Sequence, residues 1–587
     1  MYICYSVFKR LRNLTAFLLW ASVCSHAAEP FEYRSLYTPT NADETTRRLL
    51  ETHHVDYDWG LWGHNLHKVF SDGIPKEACA LPADGKVTSE QYCFSSDRLY
   101  EAIVHYITDN FGEGTALSGE RFSIMPNDNA IVCQCSQCKK TGNTPASATP
   151  AVARMVTRLA HRFPHHTFFT SSYGTTVTPP EQNLPQNTGV WISAMDWPCS
   201  NSPEAEKAMK VFKQKVERWS TVVGRVYVWD YMRNFDDYFT PYPCLSFLKQ
   251  RIRLFREIGV KGVFYNGSGD IYASFDDVQT YVLAQLLRNP DLSIQKAIQD
   301  FYDQQYPTSG RTLAAYYWNL EEKAVSNRMT LPYYGGISQS VVSRDLPAFV
   351  QFCRELRQLL PLAEATERTR LSKLQAALCL TQLELQRFSP EKLDKQLASE
   401  NLEILRTVVP LADMQYYREA EGNLQRYIDQ WKELMKLESP ADNRLLFTGI
   451  SCTTEKDKEE CLCPPLTDGR YGLPADYHTS WLIFESPVTV LSFPAPDCLS
   501  AEIRLSVLYA PRWSILPPRQ ITVWQNGRQL AELAIPSTAN RQAFTRIILT
   551  CKIQQIQPDS PVVVHISRQE GNRFTWACDE IEWYENK

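Results

Sequence analysis

The chain has 587 residues, more than one domain normally contains, so we expect about two to four domains. Its formal net charge of −5 gives no reason to expect nucleic acid or an anionic membrane as a partner. Aromatic residues make up 12 % of the chain. Sugars present apolar C–H faces that pack on aromatic rings, so this content indicates a carbohydrate ligand or a large aromatic core.

The N-terminus has the pattern of an export signal. Lys9, Arg10 and Arg12 precede an apolar run over residues 14–23, and small residues around Ala27 provide a plausible cleavage site. The run is too short to span a bilayer, and no later segment is long and apolar enough to do so. We therefore predict a signal peptide over residues 1–27, no membrane span, and an exported protein of the periplasm or cell surface.

Strand-like and helix-like segments alternate up to residue 293. The strand-like segments are rich in β-branched and aromatic residues, and amphipathic helices separate them. These segments are residues 31–37, 57–65, 121–128, 167–173, 190–196, 225–231 and 260–267. The alternation predicts an α/β fold, an irregular TIM-like (β/α)8 barrel over residues 28–293 that lacks a convincing eighth strand. An open sheet is the alternative.

The pattern changes twice after the predicted barrel. A leucine stripe between residues 371 and 385 indicates a helical region, which we place at residues 294–440. Residues 441–587 are strand-like, which predicts an all-β jelly-roll sandwich. The clearest strands there are residues 501–508, 520–524, 544–549 and 562–566.

Aspartates follow several of the predicted barrel strands. These are Asp128, Asp196, Asp230 and Asp270. In barrels of parallel strands, the catalytic residues lie at the carboxyl ends of the strands. Glycoside hydrolysis typically needs an acid for the leaving oxygen and a second group that stabilises the oxocarbenium-like centre. We predict Asp128 and Asp230 as the catalytic pair, since rings beside Asp230 could raise its pKa, although each alone could be a cap or an ion-pair partner.

Other polar and aromatic residues at the same strand ends could bind a sugar. The predicted substrate-binding residues are His64, Asn65, Tyr173, Trp229, Tyr231, Tyr265, Asn266 and Asp270. Alternatively, the histidine could be a buried core residue with its hydrogen bonds satisfied, and the aromatic rings could simply pack at the top of the barrel. The sequence has no GxSxG, P-loop, HExxH or dinucleotide motif, so no cofactor is predicted.

Cysteines are frequent in the chain. There are 17, and removing the two within residues 1–27 leaves 15. Cys133, Cys135 and Cys138 form a CxCxxC run that could hold a structural zinc ion with Cys199 or Cys93 as fourth ligand. The alternative is a disulfide among them or to Cys93, which an oxidising compartment favours. Either arrangement would fix the neighbouring loop, and no catalytic metal is predicted.

Several motifs in the first half of the chain together resemble one family. They are Pro126–Asp128 with the CxCxxC run, Tyr173 with Pro179 and Pro180, Val228–Tyr231 with Asn234 and Phe235, Pro241–Pro243, and Gly259–Phe264. Over about residues 55–330 the chain resembles the family catalogued as domain of unknown function 4838, common in exported proteins of Bacteroides-type gut bacteria. The resemblance implies a glycosidase-type barrel.

That resemblance also carries expectations about activity. Some relatives are glycoside hydrolases of family 163, which act as endo-β-N-acetylglucosaminidases on complex N-glycans with help from the substrate's acetamido group. Many relatives have Glu or Gln near the end of the last barrel strand, where this chain has Tyr265, Asn266 and Gly267. Asp270 is the candidate to substitute for that group.

The C-terminal region resembles a second kind of module. Leu466–Gly469, Trp481 and Asp579–Tyr584 resemble the galactose-binding-like jelly roll of many secreted glycosidases. This resemblance implies carbohydrate binding or structural packing. The sequence thus predicts a glycoside hydrolase whose partner is an oligosaccharide or a glycoprotein glycan. The alternatives are a non-catalytic carbohydrate-binding protein and a structural surface protein.

Overall fold

A computed structural model describes residues 30–389, 393–420, 422–436, 443–454, 461–476, 480–535, 543–558, 560–571 and 574–585. The predicted signal peptide lies outside these residues. Within them, no helix is both long enough and apolar enough to cross a membrane. The chain divides into two compact units, Met1–Tyr334 with Gln339–Leu378, and Gly335–Ser338 with Cys379–Lys587. The predicted domain boundaries at residues 293 and 440 stay predictions.

The first unit alternates strands and helices. Its strands are β1 (Tyr33–Tyr37), β2 (Cys79–Ala80), β3 (Thr88–Tyr92), β4 (Arg121–Ser123), β5 (Thr167–Ser172), β6 (Thr188–Ser193), β7 (Arg225–Tyr231) and β8 (Gly262–Asn266). Its helices are α1 (Pro39–Ala42), α2 (Glu44–Leu50), α3 (Val55–Asp58), α4 (Asp97–Phe111), α5 (Ser136–Thr141), α6 (Thr149–Arg162), α7 (Pro203–Ser220), α8 (Leu245–Glu257), α9 (Asp276–Arg288), α10 (Ile294–Gln305), α11 (Gly310–Ser326), α12 (Val341–Arg344) and α13 (Leu346–Leu359).

Six of these strands form a parallel sheet in the order β1-β8-β7-β6-β5-β4. The two edges of the sheet are joined by the segment 53–61, because His53 bridges Ser35 of β1 and Leu61 bridges Phe122 of β4. The sheet therefore curves into an irregular barrel, which confirms the predicted fold class. β1 pairs directly with β8, so no further strand lies between them. Within the described residues, the barrel therefore has fewer than the eight strands of a regular (β/α)8 barrel.

The predicted second strand is the element that differs most from expectation. Residues 57–65 were expected to be extended, but the helix α3 covers their beginning and the single bridge at Leu61 is their contact with β4. Gly60 packs against the Phe122 ring so closely that an added Cβ would lie 2.3 Å from it. The segment pairs with β4 only briefly: the Gly60 N–H donates to the Arg121 carbonyl at 2.9 Å, and the Leu61 carbonyl accepts from the Ser123 N–H at 2.8 Å.

Large aromatic side chains fill the inside of the barrel. Tyr33, Phe169, Trp191, Tyr227 and Phe264 are each 0–1 % exposed and belong to one cluster. Each comes from a different strand of the parallel sheet. Successive residues of a strand face opposite sides of a sheet, so the neighbours of these residues along each strand face the surrounding helices. The barrel interior is thus a packed core, as in TIM barrels generally.

Two strand glycines make room for these rings. A Cβ added to Gly189 would lie 2.3 Å from the Phe169 ring, and one added to Gly262 would lie 2.8 Å from the Tyr227 ring. Real Cβ atoms do not approach other heavy atoms this closely, and both neighbours are ring atoms in a filled core. Each glycine therefore pairs with a large aromatic residue on the adjacent strand.

We expect Gly189→Ala to lower the free energy of unfolding by about 1–3 kcal/mol, because the added methyl overpacks the barrel core. Urea denaturation followed by tryptophan fluorescence measures this change. Gly449→Ala is the control, since its Cβ would meet no atom closer than 3.6 Å. An unchanged midpoint for Gly189→Ala would contradict the packing described for this core.

The second unit contains helices followed by two sheets. Helix α14 (Ala365–Arg387) begins in the first unit and ends in the second, and α15 (Lys395–Val408) and α16 (Leu424–Lys436) follow it. The strands are β9 (Ser451–Thr454), β10 (Cys461–Leu462), β11 (Leu482–Phe484), β12 (Val488–Pro494), β13 (Ser500–Tyr509), β14 (Gln520–Gln525), β15 (Arg528–Ala534), β16 (Thr545–Gln554), β17 (Pro561–Ser567) and β18 (Trp576–Glu585).

These strands form the predicted β-sandwich. One sheet has the order β10-β9-β12-β17-β14-β15 and the other the order β11-β18-β13-β16, with antiparallel pairing throughout. Residues of both sheets share one core, in which Trp576 and Trp583 are fully buried. Asn526 and Gly527 have φ values of 51° and 77° and connect β14 to β15, which is the conformation that a tight hairpin turn requires.

Candidate functional site

The candidate site lies at the carboxyl-terminal end of the barrel, which we call the rim. It is formed by residues at or just after the ends of β1 and β4–β8, together with the segment 62–65 that follows the bridge at Leu61. Parallel strands bring these positions to one end of the sheet. The rim is therefore where the sequence predicted the substrate-binding residues.

Two half-buried tryptophans form the floor of the rim. The rings of Trp62 and Trp229 stack with centroids 4.8 Å apart and an interplanar angle of 21°. Below them, Phe264 meets the Trp229 ring edge-on at 5.0 Å, and Trp191 meets the Trp62 ring edge-on at 5.1 Å. The stack continues the aromatic core up to a surface that is partly open. Trp62 was not among the predicted site residues, although the density of tryptophan around it was visible in the sequence.

One side of the rim brings together an exposed carboxylate, a tyrosine and a histidine. Asp128 is exposed, and its charge acts on the Tyr173 hydroxyl. Burial raises the pKa of Tyr173 to about 12, and the charge of Asp128 adds to this shift. The His64 ring lies 6.2 Å from the Tyr173 ring and 6.4 Å from the Trp229 ring. The predicted residues Asp128, Tyr173, His64 and Trp229 therefore belong to one group.

His64 is held in a defined orientation. Its Nδ1 is hydrogen-bonded to the Pro126 carbonyl, and a carbonyl can only accept, so Nδ1 carries a proton and donates it to this bond. The same bond ties the segment 62–65 to the loop that carries Asp128. Asn65 is half-buried and begins a short 3-10 turn, in which its carbonyl accepts from Lys68.

The opposite side of the rim contains Tyr37 and Asp270. Burial raises the pKa of Tyr37 to about 12, and the charges of Asp56 and Asp270 contribute further. Asp270 is exposed, and its charge also acts on His54, whose ring lies 5.4 Å from the Tyr37 ring. Asp270 is thus a second rim carboxylate, in a group separate from that of Asp128 and Tyr173.

Tyr231 and Asn266 end adjacent strands at the rim. The Tyr231 hydroxyl lies 3.2 Å from Ser193 Oγ, and its ring lies 5.3 Å from the Tyr333 ring. Burial raises the pKa of the Tyr231 hydroxyl well above its ordinary value. Asn266 is half-buried, and its carbonyl accepts from the Met232 N–H at 3.0 Å. Both predicted positions are at the rim, although Tyr231 is largely enclosed by other side chains.

The structure corrects the expectation that Asp230 faces the rim. Asp230 is 0 % exposed, and because it follows the inward-facing Trp229 it projects outward, towards the helices. There it forms an ion pair with Arg251 of α8, which is 2 % exposed. Burial raises the pKa of Asp230 and the charge of Arg251 lowers it. This carboxylate is enclosed in a buried ion pair.

Arg251 connects Asp230 to other parts of the first unit. Its guanidinium donates to the Trp197 carbonyl and, at 3.0 Å, to the Tyr333 hydroxyl, and it lies 4.5 Å from the centre of the Trp197 ring. Tyr265 lies on the same outer side of the sheet and is 0 % exposed, so its predicted role in sugar binding is corrected for the same reason of strand alternation. Burial and the charge of Asp230 raise the pKa of Tyr265.

The cysteines of the CxCxxC run lie beside Cys93. The sulfur atoms of Cys93, Cys133, Cys135 and Cys138 are all within 4.8 Å of one another. Cys199 is not part of this group: it is fully buried elsewhere and its main chain bridges to Leu331. The predicted fourth ligand is therefore corrected to Cys93, which was the second candidate in the sequence.

A second group of cysteines lies in the β-sandwich. The sulfur atoms of Cys452, Cys461 and Cys463 are also within 4.8 Å of one another, on β9, on β10 and just after β10. This group was not predicted from the sequence. Its signal was the short spacing between Cys461 and Cys463, and antiparallel pairing places Cys461 opposite Cys452.

The rim has the features of a site for a ligand with both polar and apolar faces. A half-buried aromatic floor can stack on an apolar face, while hydroxyl, imidazole and amide groups around it can hydrogen-bond polar substituents. An exposed carboxylate beside them can exchange a proton with a bound molecule. The described rim residues include no cluster of metal-ligating side chains.

Comparison with solved structures gives remote similarities. A family GH115 4-O-methyl-α-glucuronidase with specificity for decorated arabinogalactans shares 10 % identity at a TM-score of 0.41, covering 96 % of this chain and 79 % of that one. A family GH138 enzyme targeting pectin rhamnogalacturonan II shares 10 % identity at a TM-score of 0.31, covering 62 % and 74 %. The C-terminal CBM6 of a laminarinase from Zobellia galactanivorans shares 15 % identity at a TM-score of 0.12, covering 23 % and 84 %.

Comparison of sequences places the chain in a family. The curated proteins give no match. The family model described as domain of unknown function (DUF4838) matches residues 19–319, just over half of the chain. This match includes the whole parallel sheet, the rim and the CxCxxC run. The chain therefore belongs to the DUF4838 family.

Proposed function

We propose that this protein is an exported glycoside hydrolase that acts on complex glycans in the periplasm or at the cell surface. The observation that supports this most strongly is the group at the rim in which the charge of exposed Asp128 acts on Tyr173, next to His64 and the half-buried Trp229. This group combines a proton donor with a surface for stacking a sugar ring. The resemblance to family 163 relatives in sequence motifs agrees with it.

Within this class, the proposed activity is that of an endo-β-N-acetylglucosaminidase with a substrate-assisted mechanism. The acetamido oxygen of the substrate attacks the anomeric carbon while Asp128 donates a proton to the departing glycosidic oxygen. Water then opens the cyclic intermediate and returns a proton to Asp128. This route needs one protein acid and no protein nucleophile, so the burial of Asp230 is compatible with it.

Residues on the other strands complete the proposed site. Asn266 and Tyr231 are at the ends of β8 and β7, where an amide and a hydroxyl can orient the acetamido group. Asp270 is the second exposed carboxylate of the rim and is the alternative proton donor. No cofactor enters this scheme.

The second candidate function is non-catalytic carbohydrate binding. It is favoured by the position of Asp230, because one of the two acids predicted for hydrolysis is enclosed with Arg251 and cannot face a sugar at the rim. A barrel with an aromatic floor and an incomplete acid pair would hold glycans without cleaving them. The β-sandwich of the second unit would then be a second binding module.

Glycan release decides between these functions. The full-length protein is incubated with N-glycoproteins carrying complex glycans, and soluble products are analysed by mass spectrometry, while retained glycoprotein is measured in a pull-down. Released glycans with one N-acetylglucosamine at the reducing end would support the proposed activity. Retention without release would support the binding protein, and the absence of both would contradict both proposals.

We expect Trp229→Ala to weaken glycan binding by about tenfold or more, since a central tryptophan anchor typically contributes at least 1.4–2 kcal/mol of binding free energy. Isothermal titration with a complex N-glycan measures the affinity. Trp524→Ala is the matched control, because Trp524 is a half-buried tryptophan of the sandwich. Loss of affinity in the Trp524→Ala variant alone would place the main binding site in the sandwich.

A further inference from the structure

Four cysteines from two separate segments meet beside the loop that carries Asp128. Cys93 directly follows β3, whereas Cys133, Cys135 and Cys138 come from the loop before α5 and from its first turn. Their sulfur atoms all lie within 4.8 Å of one another, and Cys93 Sγ is 3.7 Å from both Cys135 Sγ and Cys138 Sγ. We propose that these four thiolates bind one metal ion, with zinc as the expected metal, and that the ion holds the Asp128 loop in place.

The sulfur separations fit a tetrahedral metal site. Zinc–sulfur bonds of about 2.3 Å in a tetrahedron place the sulfur atoms about 3.8 Å apart. The 3.7 Å separations from Cys93 agree with two edges of such a tetrahedron. A disulfide requires about 2.05 Å and would pair Cys93 with one sulfur only. Four thiolates also leave no open coordination position, so the proposed site is structural, and soft sulfur ligands favour zinc over magnesium or calcium.

Groups around the sulfur atoms can stabilise their negative charge. The Leu81 N–H donates to Cys133 Sγ at 3.3 Å, and the Cys138 N–H donates to Cys135 Sγ at 3.4 Å. The Ser95 hydroxyl lies 3.2 Å from Cys138 Sγ. Outer hydrogen bonds of this kind orient metal ligands and compensate their charge. Cys93, Cys133 and Cys138 are buried, which limits access of water to the proposed centre.

Hydrogen bonds connect the Asp128 loop to β3, close to the cysteines. The Gln91 side chain accepts from the Asn127 N–H at 2.9 Å and donates to the Asn127 carbonyl at 3.1 Å and to Asn129 Oδ1 at 2.9 Å. The side-chain amides of Asn127 and Asn129 both donate to the Glu90 carbonyl at 2.9 Å. These contacts are made by the two neighbours of Asp128 in the sequence.

The proposed metal ion would join the same two segments at a second point. Cys93 is two residues beyond Gln91 on one segment, and Cys133 is four residues beyond Asn129 on the other. A metal ion bound to both segments would keep them together and so preserve the hydrogen bonds around Asp128. The cysteines would then act as positioning residues at a distance from the rim. The metal site itself does not depend on the proposed hydrolase activity. Only the benefit of positioning Asp128 for catalysis rests on the proposed function.

Metal content tests the site. The full-length protein is purified without chelators, its metals are measured by plasma mass spectrometry, and its free thiols are counted after denaturation with and without reductant. We expect about one equivalent of zinc in the wild-type protein and its loss in Cys93→Ser and Cys138→Ser. Cys79→Ser is the matched control and should retain the metal, because Cys79 is near the group in sequence but outside it. Disulfides linking these cysteines in a metal-free wild-type protein would overturn the proposal, as would equal metal content in Cys93→Ser.

Hydrogen exchange tests the positioning role on the wild-type protein, so that it does not depend on the folding of a variant. The metal is removed with a chelator and restored with zinc, and exchange is followed in peptides covering residues 127–138 and, as a reference, residues 225–231. We expect at least tenfold faster exchange of residues 127–138 without metal, reversed by zinc, and no change in the reference. Unchanged exchange in the metal-free protein would overturn the positioning role. This readout is independent of glycan release, so its failure is distinguishable from failure of the proposed function.

Discussion

Asp230→Asn is expected to lower the free energy of unfolding of the first unit by about 3–5 kcal/mol. The carboxylate is 0 % exposed and its partner Arg251 is 2 % exposed, so the substitution leaves a buried guanidinium without its counter-charge. At the protein surface, water would solvate a guanidinium that has lost its counter-charge, but water does not reach this buried position. Urea denaturation monitored by tryptophan fluorescence, since the barrel core is rich in tryptophan, measures the change.

An exposed ion pair on the same helix provides the control for this prediction. Arg253 of α8 lies 3.0 Å from Asp291, with side-chain exposures of 48 % and 60 %. Asp291→Asn should change stability by less than about 1 kcal/mol, because exposed pairs are screened by water and salt. If Asp230→Asn kept full stability and abolished glycan release, the carboxylate would have to reach the substrate, and the assignment to a structural ion pair would be wrong.

The position of Asp230 shows which part of the site the sequence could predict. The strand itself was predicted with its observed bounds, because its run of β-branched and aromatic residues is continuous. The end of the strand that lies at the site could also be predicted, since parallel strands bring their carboxyl ends together. However, adjacent strand residues face opposite sides, so Trp229 and Asp230 cannot both face the rim. Knowing the inward residue requires the register of the barrel, which depends on contacts with other strands.

The second strand and the cysteine group show a different limit. Trp59 and Trp62 pack inside the barrel although their segment pairs with the sheet at a single bridge, and propensity cannot distinguish this from a full strand. Likewise, Cys93 and Cys199 were both possible partners of the CxCxxC run. The choice is made by β2, which pairs with β3 beside Cys93 and is followed by Leu81, whose main chain hydrogen-bonds to Cys133 and Gln134 of the run, 40 residues beyond Cys93 in sequence. Such long-range pairing has no local signal.

Asp128→Asn is expected to reduce the rate of glycan release by about 100-fold or more, with an unchanged melting temperature. The amide has nearly the same shape as the carboxyl group, but it cannot donate a proton to the departing oxygen. Because Asp128 is exposed, the substitution removes no buried charge and should leave the fold intact. Release from a complex N-glycoprotein, measured by mass spectrometry over time, gives the rate.

Two further rim aspartates make this prediction specific. Asp196→Asn should release glycans at the wild-type rate, because this side chain is 95 % exposed and its charge partner is Lys215 at 3.9 Å. Asp270→Asn should retain more activity than Asp128→Asn if Asp128 is the acid. The reverse order would assign the proton donor to Asp270 and the opposite side of the rim, where its charge acts on Tyr37 and His54. Equal rates in all three variants would show that none of these aspartates is the acid, since a hydrolase of this class must protonate the leaving oxygen.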